Sequence, residues 1–293
     1  LSIDYRDIPP LNTFTAKDGK ELAYRHYQGP SDRVMILLHG SGWHSRYLLP
    51  LTRFISGEGL AQVYTPDLRG HGHNPERRGD VDYIGQLEDD LADFIAMILG
   101  NDPRRLLIVG GHSSGGGLAI RFAGSRYGHM VDAYLLLSPF LKYNAPTMRP
   151  NSGGWGRPHI PGIIGLTMLN NVGIRCLNHL AVIDFNMPEE VRDGTETLSY
   201  SYRLNTSYAP GNYKKDLKTV TQPLLVAVGT ADEAFVAEQF EPVISQFAKA
   251  DVALLQCLTH MGVAVSPLVH PVVRGWIEGL DKTPPLPHAP KAG

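Results

Sequence analysis

Leu106-Leu107-Ile108-Val109-Gly110-Gly111-His112-Ser113-Ser114-Gly115-Gly116-Gly117 decides the fold. An unbroken apolar run suits a strand buried on both faces, as in a parallel sheet. It runs into glycines and serines, and residues 113–127 then read as a helix. Within the turn, Gly111-His112-Ser113-Ser114-Gly115 has the form G-x-S-x-G. That pattern builds a strained strand-to-helix turn that lifts a serine hydroxyl clear of the sheet. The flanking positions must be small because the turn presses them against neighbouring backbone. A register centred on Ser114 would place His112 where a small residue is needed, so Ser113 is the candidate nucleophile. No lysine follows the glycines, which excludes a phosphate-binding P-loop.

Similar runs recur on both sides: Val34-Met35-Ile36-Leu37-Leu38, Ala133-Tyr134-Leu135-Leu136-Leu137 and Leu224-Leu225-Val226-Ala227-Val228. Val252-Ala253-Leu254-Leu255 and Gln62-Val63-Tyr64-Thr65 are weaker candidates. Glu21 to Tyr27 alternates, which predicts a one-sided edge strand after a Lys17-Asp18-Gly19-Lys20 turn. Ile84, Leu87, Leu91, Phe94, Ile95 and Ile98 recur at helical spacing, with Gly100 as the stop. Residues 234–247 and 268–280 read as further helices. Strands alternating with helices predict an α/β fold, a doubly wound and mostly parallel sheet with helices on both faces.

Between about Phe140 and Lys215 the alternation stops and prolines punctuate short pieces. A structureless loop of that length is unexpected in a compact domain. The segment is therefore expected to be an inserted helical cap, residues 140–215, over a core made of 1–139 and 216–293. Apolar Gly162 to Leu169 is its helix-sized piece.

A chain of 293 residues suits one large α/β domain with an insert. Lys plus Arg number 27 and Asp plus Glu 29, a net charge of −2, which gives no electrostatic footprint for nucleic acid. Hydrophobic residues make up 43% and charged residues 19%, a globular balance. No apolar run reaches the ~18 residues of a membrane span. Two cysteines exclude a disulfide-rich scaffold; Cys176 and Cys257 are expected to be buried free thiols. Leu1 in place of Met reads as a processed or trimmed start, which leaves a cytoplasmic or an exported, anchored location equally open. Residues 284–290 are Pro-rich and expected to be extended.

A serine nucleophile needs a base and an acid to orient it, in the chain order Ser, Asp or Glu, His for this turn type. The strand 224–228 leads into Gly229-Thr230-Ala231-Asp232-Glu233, which makes Asp232 the acid and Glu233 the alternative. Of the three later histidines, His288 lies in the tail and His270 in a helical pattern. His260 follows a strand, where a catalytic base belongs in an open α/β sheet. The oxyanion needs preorganised N–H donors. Ser114, opening a helix, is one. Ser41 of His39-Gly40-Ser41-Gly42-Trp43 is the other, with Gly42 as alternative.

Together with Pro66-Asp67-Leu68-Arg69-Gly70-His71-Gly72-His73-Asn74, these motifs resemble the α/β-hydrolase family. The branch is that of monoacylglycerol lipases, lysophospholipases and serine aminopeptidases of the S33 type. The resemblance spans residues 19–280, and Asn74 stands where the branch usually has serine. It implies an eight-stranded sheet with an antiparallel second strand, a cap after strand six, acyl-enzyme hydrolysis of a lipid or small-molecule ester, and no cofactor or metal. It also implies a structural role for Asp67, Arg69 and His71. Trp43, Ile163, Ile164, Leu166, Met168 and Leu169 are then expected to meet the acyl chain, and Arg46 and His44 a polar head group. A proline-iminopeptidase-like activity would instead use Glu189, Glu190, Asp193 or Glu196 on a substrate ammonium. A broken triad would mark a binding protein on a hydrolase scaffold.

Overall fold

The structure, a computed structural model, describes residues 3–280 except 74, 101, 103 and 104. Asn74, His288 and the Pro-rich tail therefore lie outside the described residues. Among the described residues, eleven strands run in chain order as β1 (Asn12–Thr15), β2 (Glu21–Tyr27), β3 (Val34–Leu38), β4 (Gln62–Pro66), β5 (Leu107–His112), β6 (Ala133–Leu137), β7 (Gly156–Pro158), β8 (Ala181–Phe185), β9 (Ser199–Ser201), β10 (Leu224–Gly229) and β11 (Asp251–Leu255). Eight form one sheet in the order β1-β2-β4-β3-β5-β6-β10-β11. β2 is antiparallel to β1 and β4, and the other pairs are parallel.

Every residue of β3, β5, β6 and β10 is buried. Alternate side chains enter two cores: Val34, Ile36 and Leu38 on one face, Met35 and Leu37 on the other. Two-sided burial is why these strands lack polar alternation. The first face packs against α2 (Gln86–Leu99) and α3 (Ser114–Ala123). The second packs against α1 (Leu49–Gly57) and the C-terminal helix (His270–Gly279).

Several expectations need correction. β2 is not at the edge, because β1 covers it; β1 has one buried side chain, Phe14, and so little apolar signal. The helix expected at 113–127 ends at Ala123, with Gly124 as its cap. The one expected at 234–247 is α-helical only over Phe240–Ile244, because Asp232 Oδ1 takes the N–H groups of Ala234 and Phe235 and Thr147 takes that of Val236. Cys176 and Cys257 are free but exposed, not buried.

The segment between β6 and β10 is not purely helical. It holds the antiparallel sheet β7-β8-β9 beside α4 (Ile160–Asn171) and α5 (Tyr202–Tyr208). Strands of three to five residues are too short for their periodicity to register. Among the described residues, no helix is long and apolar enough to cross a membrane.

Candidate active site

The carboxyl ends of β3, β5, β6, β10 and β11 bring the expected site residues to one edge of the sheet. At the end of β5, Ser113 has φ 56° and ψ −121°, a left-handed backbone that a side chain adopts only under strain. Neighbours enforce it. Ser113 N–H donates to Leu137 O at 3.0 Å, and Ser113 O accepts from Phe140 N at 2.9 Å. A Cβ on Gly111 would run into the Gly115 carbonyl, and one on Gly115 into the carbonyls of Leu38 and His39. Gly40 passes so close that a Cβ there would lie 3.2 Å from Ser113 Cβ. The turn therefore holds Ser113, half-buried, beside the loop that follows β3.

Asp232 and His260 come together. Asp232 Oδ2 lies 2.9 Å from His260 Nδ1, while Oδ1 accepts from the backbone N–H groups of Ala234 and Phe235, each at 2.9 Å. The carboxylate is fully buried. Burial pushes its pKa up, but the hydrogen bond and charge of His260 outweigh that and leave it below the ordinary value. Glu233, the alternative acid, does something else: its exposed Oε2 accepts from His260 backbone N–H at 2.9 Å.

His260 is gripped a third time. His112 Nε2 lies 2.9 Å from the His260 carbonyl oxygen. A carbonyl only accepts, so His112 carries its proton on Nε2. Its Nδ1 then accepts from Tyr47 Oη at 2.8 Å, and Tyr47 Oη accepts from Gly40 N–H at 2.7 Å. Burial, followed by the adjacent His260, pushes His112 down to about 3 and keeps it neutral. Sequence reasoning missed both residues. His112 stood in the motif as its variable position, and Tyr47 carried no local signal.

Ser114 opens α3, where first-turn N–H groups lack intrahelical acceptors. In the loop after β3, Gly42 N–H donates to Tyr200 Oη at 2.8 Å. That bond occupies the N–H of Gly42, the alternative candidate donor. Ser41 Oγ accepts from Trp155 Nε1 at 3.1 Å. Trp155 and Met187 also cover Gly42, where a Cβ would meet them at 3.1 and 3.4 Å.

The expected acyl-contacting residues are scattered. Leu166 is buried with Val182 and Tyr202 in the small core of the insert, and Ile163 and Leu169 pack against it. Ile164 and Met168 are 55% and 64% exposed. Trp43 is half-buried against Tyr47. Arg46 is paired with Asp193 at 2.5 Å, and His44 is buried with Nε2 2.9 Å from Thr195 Oγ1. Glu189 and Glu190 are exposed. Glu196 accepts from the N–H groups of Gly194 and Asp193 in its own loop, and Asp193 accepts from Thr195 as well as pairing with Arg46. Burial raises both acids, but these hydrogen bonds prevail and both end below their ordinary values.

Residues 66–73 of the motif brace the sheet edge. Buried Arg69 makes a two-point pair with Asp90 at 2.8 and 2.7 Å. His71 uses both nitrogens, Nδ1 on Arg69 O and Nε2 on Tyr200 Oη. His39 Nε2 accepts from Leu68 N–H, which joins this motif to the loop after β3.

Comparison with known proteins places this geometry. The sequence model of the family described as serine aminopeptidase, S33 matches residues 29–257. Human monoglyceride lipase is 26% identical over 240 residues, 79% of this chain and 75% of its own length. A monoacylglycerol lipase from Mycolicibacterium smegmatis is 29% identical over 131 residues, 44% of this chain and 46% of that protein. The structure of a soluble variant of monoglyceride lipase from Saccharomyces cerevisiae, bound to a substrate analog, superposes with a TM-score of 0.70. That pair is 16% identical, with 96% of this chain and 97% of the other covered. The chain belongs to the serine aminopeptidase, S33 family of α/β-hydrolases, and it is a serine hydrolase of the lipase and esterase type.

Proposed function

We propose that the enzyme hydrolyses acylglycerols, lysophospholipids or simple acyl esters through an acyl-enzyme on Ser113. The observation that carries this reading is the 2.9 Å Asp232–His260 contact at the sheet edge that also presents Ser113 on its strained turn. Asp232 accepts from Nδ1–H, so Nε2 of His260 is left to act as base. His260 takes the Ser113 proton as Oγ attacks the ester carbonyl, and Asp232 stabilises the imidazolium that results. The backbone N–H groups of Ser41 and Ser114 hold the oxyanion. His260 returns the proton to the leaving alcohol. Water, deprotonated by the same imidazole, then attacks the acyl carbonyl; the acyl–Oγ bond breaks, the imidazolium returns the proton to Ser113 Oγ, and the acid leaves. Relatives named as monoglyceride and monoacylglycerol lipases favour the glycerol esters among these substrates.

The test is hydrolysis of p-nitrophenyl esters of rising acyl length and of monoacylglycerols by wild type and Ser113→Ala. Loss of at least about a thousandfold in kcat is expected in the variant. A variant as active as wild type would remove Ser113 from the chemistry.

A further inference from the structure

The loop after β3 is held chiefly by the insert and not by the sheet that carries it. Four of its contacts come from the segment between β6 and β10. Tyr208 Oη donates to His39 O at 2.5 Å. Trp155 Nε1 donates to Ser41 Oγ at 3.1 Å. Both backbone groups of Gly42 are taken: its N–H by Tyr200 Oη at 2.8 Å and its carbonyl by Thr197 N–H at 2.9 Å. From the core side, Tyr47 Oη holds Gly40 N–H, Leu68 N–H donates to His39 Nε2, and Asp67 Oδ1 accepts from Ser45 N–H. Ser41 thus sits between two residues whose N–H groups are fixed by tyrosine hydroxyls.

Tyr200 is itself immobilised. It is 2% exposed, on β9, and its hydroxyl donates to His71 Nε2 at 2.6 Å. His71 Nδ1 lies 3.1 Å from the Arg69 carbonyl, which only accepts, so the proton of this neutral, buried ring is on Nδ1, Nε2 accepts, and Tyr200 Oη must direct its lone pair at Gly42. Phe185 and Tyr208 rings pack against the Tyr200 ring at 4.6 and 6.0 Å. The main chain of β9 is anchored as well, through Ser201 N–H on Gly79 O.

The geometry points to Tyr200 as a positioning residue of the oxyanion hole: the insert aims the Ser41 N–H through the Tyr200–Gly42 hydrogen bond. This rests on the reading of Ser113 as nucleophile and Ser41 as oxyanion donor. Oxyanion donors act by preorganisation, so a loosened loop weakens the transition state more than substrate binding. The insert is then part of the catalytic apparatus and not only a cover over it.

Tyr200→Phe keeps the ring and deletes the hydroxyl. Its kcat on a p-nitrophenyl ester should fall by about tenfold with KM nearly unchanged, less than the loss on deleting a direct oxyanion donor. The matching thiono-ester, with sulfur in place of the carbonyl oxygen, accepts N–H bonds poorly and should lose much less. The oxo-to-thiono rate ratio therefore narrows. Equal losses on both esters in a folded variant, or no loss on either, overturn the assignment. Where Tyr200→Phe does not fold, Trp155→Phe decides. It deletes the bond to Ser41 Oγ, and a narrowed ratio supports the assignment while an unchanged one overturns it. Ser113→Ala run alongside separates the two readings. If it is inert while Tyr200→Phe behaves as wild type, only the role of Tyr200 fails; if it remains active, both fail.

Discussion

The sheet and the insert are held together by different means. In the sheet, β3, β5, β6 and β10 bury every side chain, and their cohesion is apolar area removed from water on two faces. The insert has a small core of its own, Leu166, Val182 and Tyr202 with Ile163 and Leu169, while its Phe185, Tyr200, Leu204 and Tyr208 join the main core. Added to that area are polar contacts distant in sequence: Tyr200 to Gly42, Arg203 to Asp80, Arg78 to the Thr195 carbonyl. Apolar cohesion tolerates repacking, whereas a directed hydrogen bond is made or lost with one atom. Substitutions that delete these polar contacts should therefore change the chemistry at the sheet edge before they change global stability.

The largest effect that would test this division is at the acid. Asp232→Asn should lower kcat by about ten-thousandfold, because it removes the carboxylate that sets the His260 tautomer. Glu233→Gln keeps an acceptor for His260 N–H and should cost less than about tenfold. Steady-state rates on one ester measure both. A reversed order would make Glu233 the acid and break the assignment of β10's loop.

A smaller effect should appear as acid sensitivity of the motifs that join insert to sheet. His39 is pushed down to about 4 and His112 to about 3, each chiefly by burial, and buried His71 lies well below its ordinary value. An unfolded imidazole titrates near 6.5. Below that pH the unfolded chain takes up protons that the folded chain refuses, so stability falls as pH drops from about 6.5 toward 4. Each such imidazole adds a slope of about 1.4 kcal/mol per pH unit within its window. Urea midpoints at pH 7, 6 and 5 should decline in that order, and His112→Gln should flatten the decline. A flat profile in the parent protein would mean these rings are charged or exposed.

How much was legible follows the same line. The runs at 34–38, 106–109, 133–137 and 224–228 were readable because burial on both faces erases polar alternation. Ser113 and Asp232 were readable as candidates because each follows such a run, and His260 because it follows the weaker run 252–255 and completes the chain order. The insert was not. β7 and β9 have three residues each, and the α4 sequence is apolar all round, so its periodicity gives no inward face. Tyr47, His112 and Tyr200 act through single hydrogen bonds to partners 7 to 158 positions away, and no sequence spacing encodes those.

The smallest effects concern α4, where the sequence suggested an acyl channel and the structure divides the helix. Ile160, Ile164, Met168 and Val172 recur every fourth position and are 51%, 55%, 64% and 73% exposed, while Leu166 is 5% exposed. Leu166→Ala should cost about 2–3 kcal/mol, the low end for a buried leucine because its core is small. Ile164→Ser and Met168→Ser should stay within about 0.5 kcal/mol of the parent, since no buried contact is lost. The sharper readout is acyl-length preference. A side chain in solvent cannot select chain length on a soluble p-nitrophenyl ester, so both serine variants should keep the parent's ratio of long-chain to short-chain kcat/KM. A selective loss on long chains would return Ile164 and Met168 to the acyl path, and would mean that α4 turns inward when a long substrate binds.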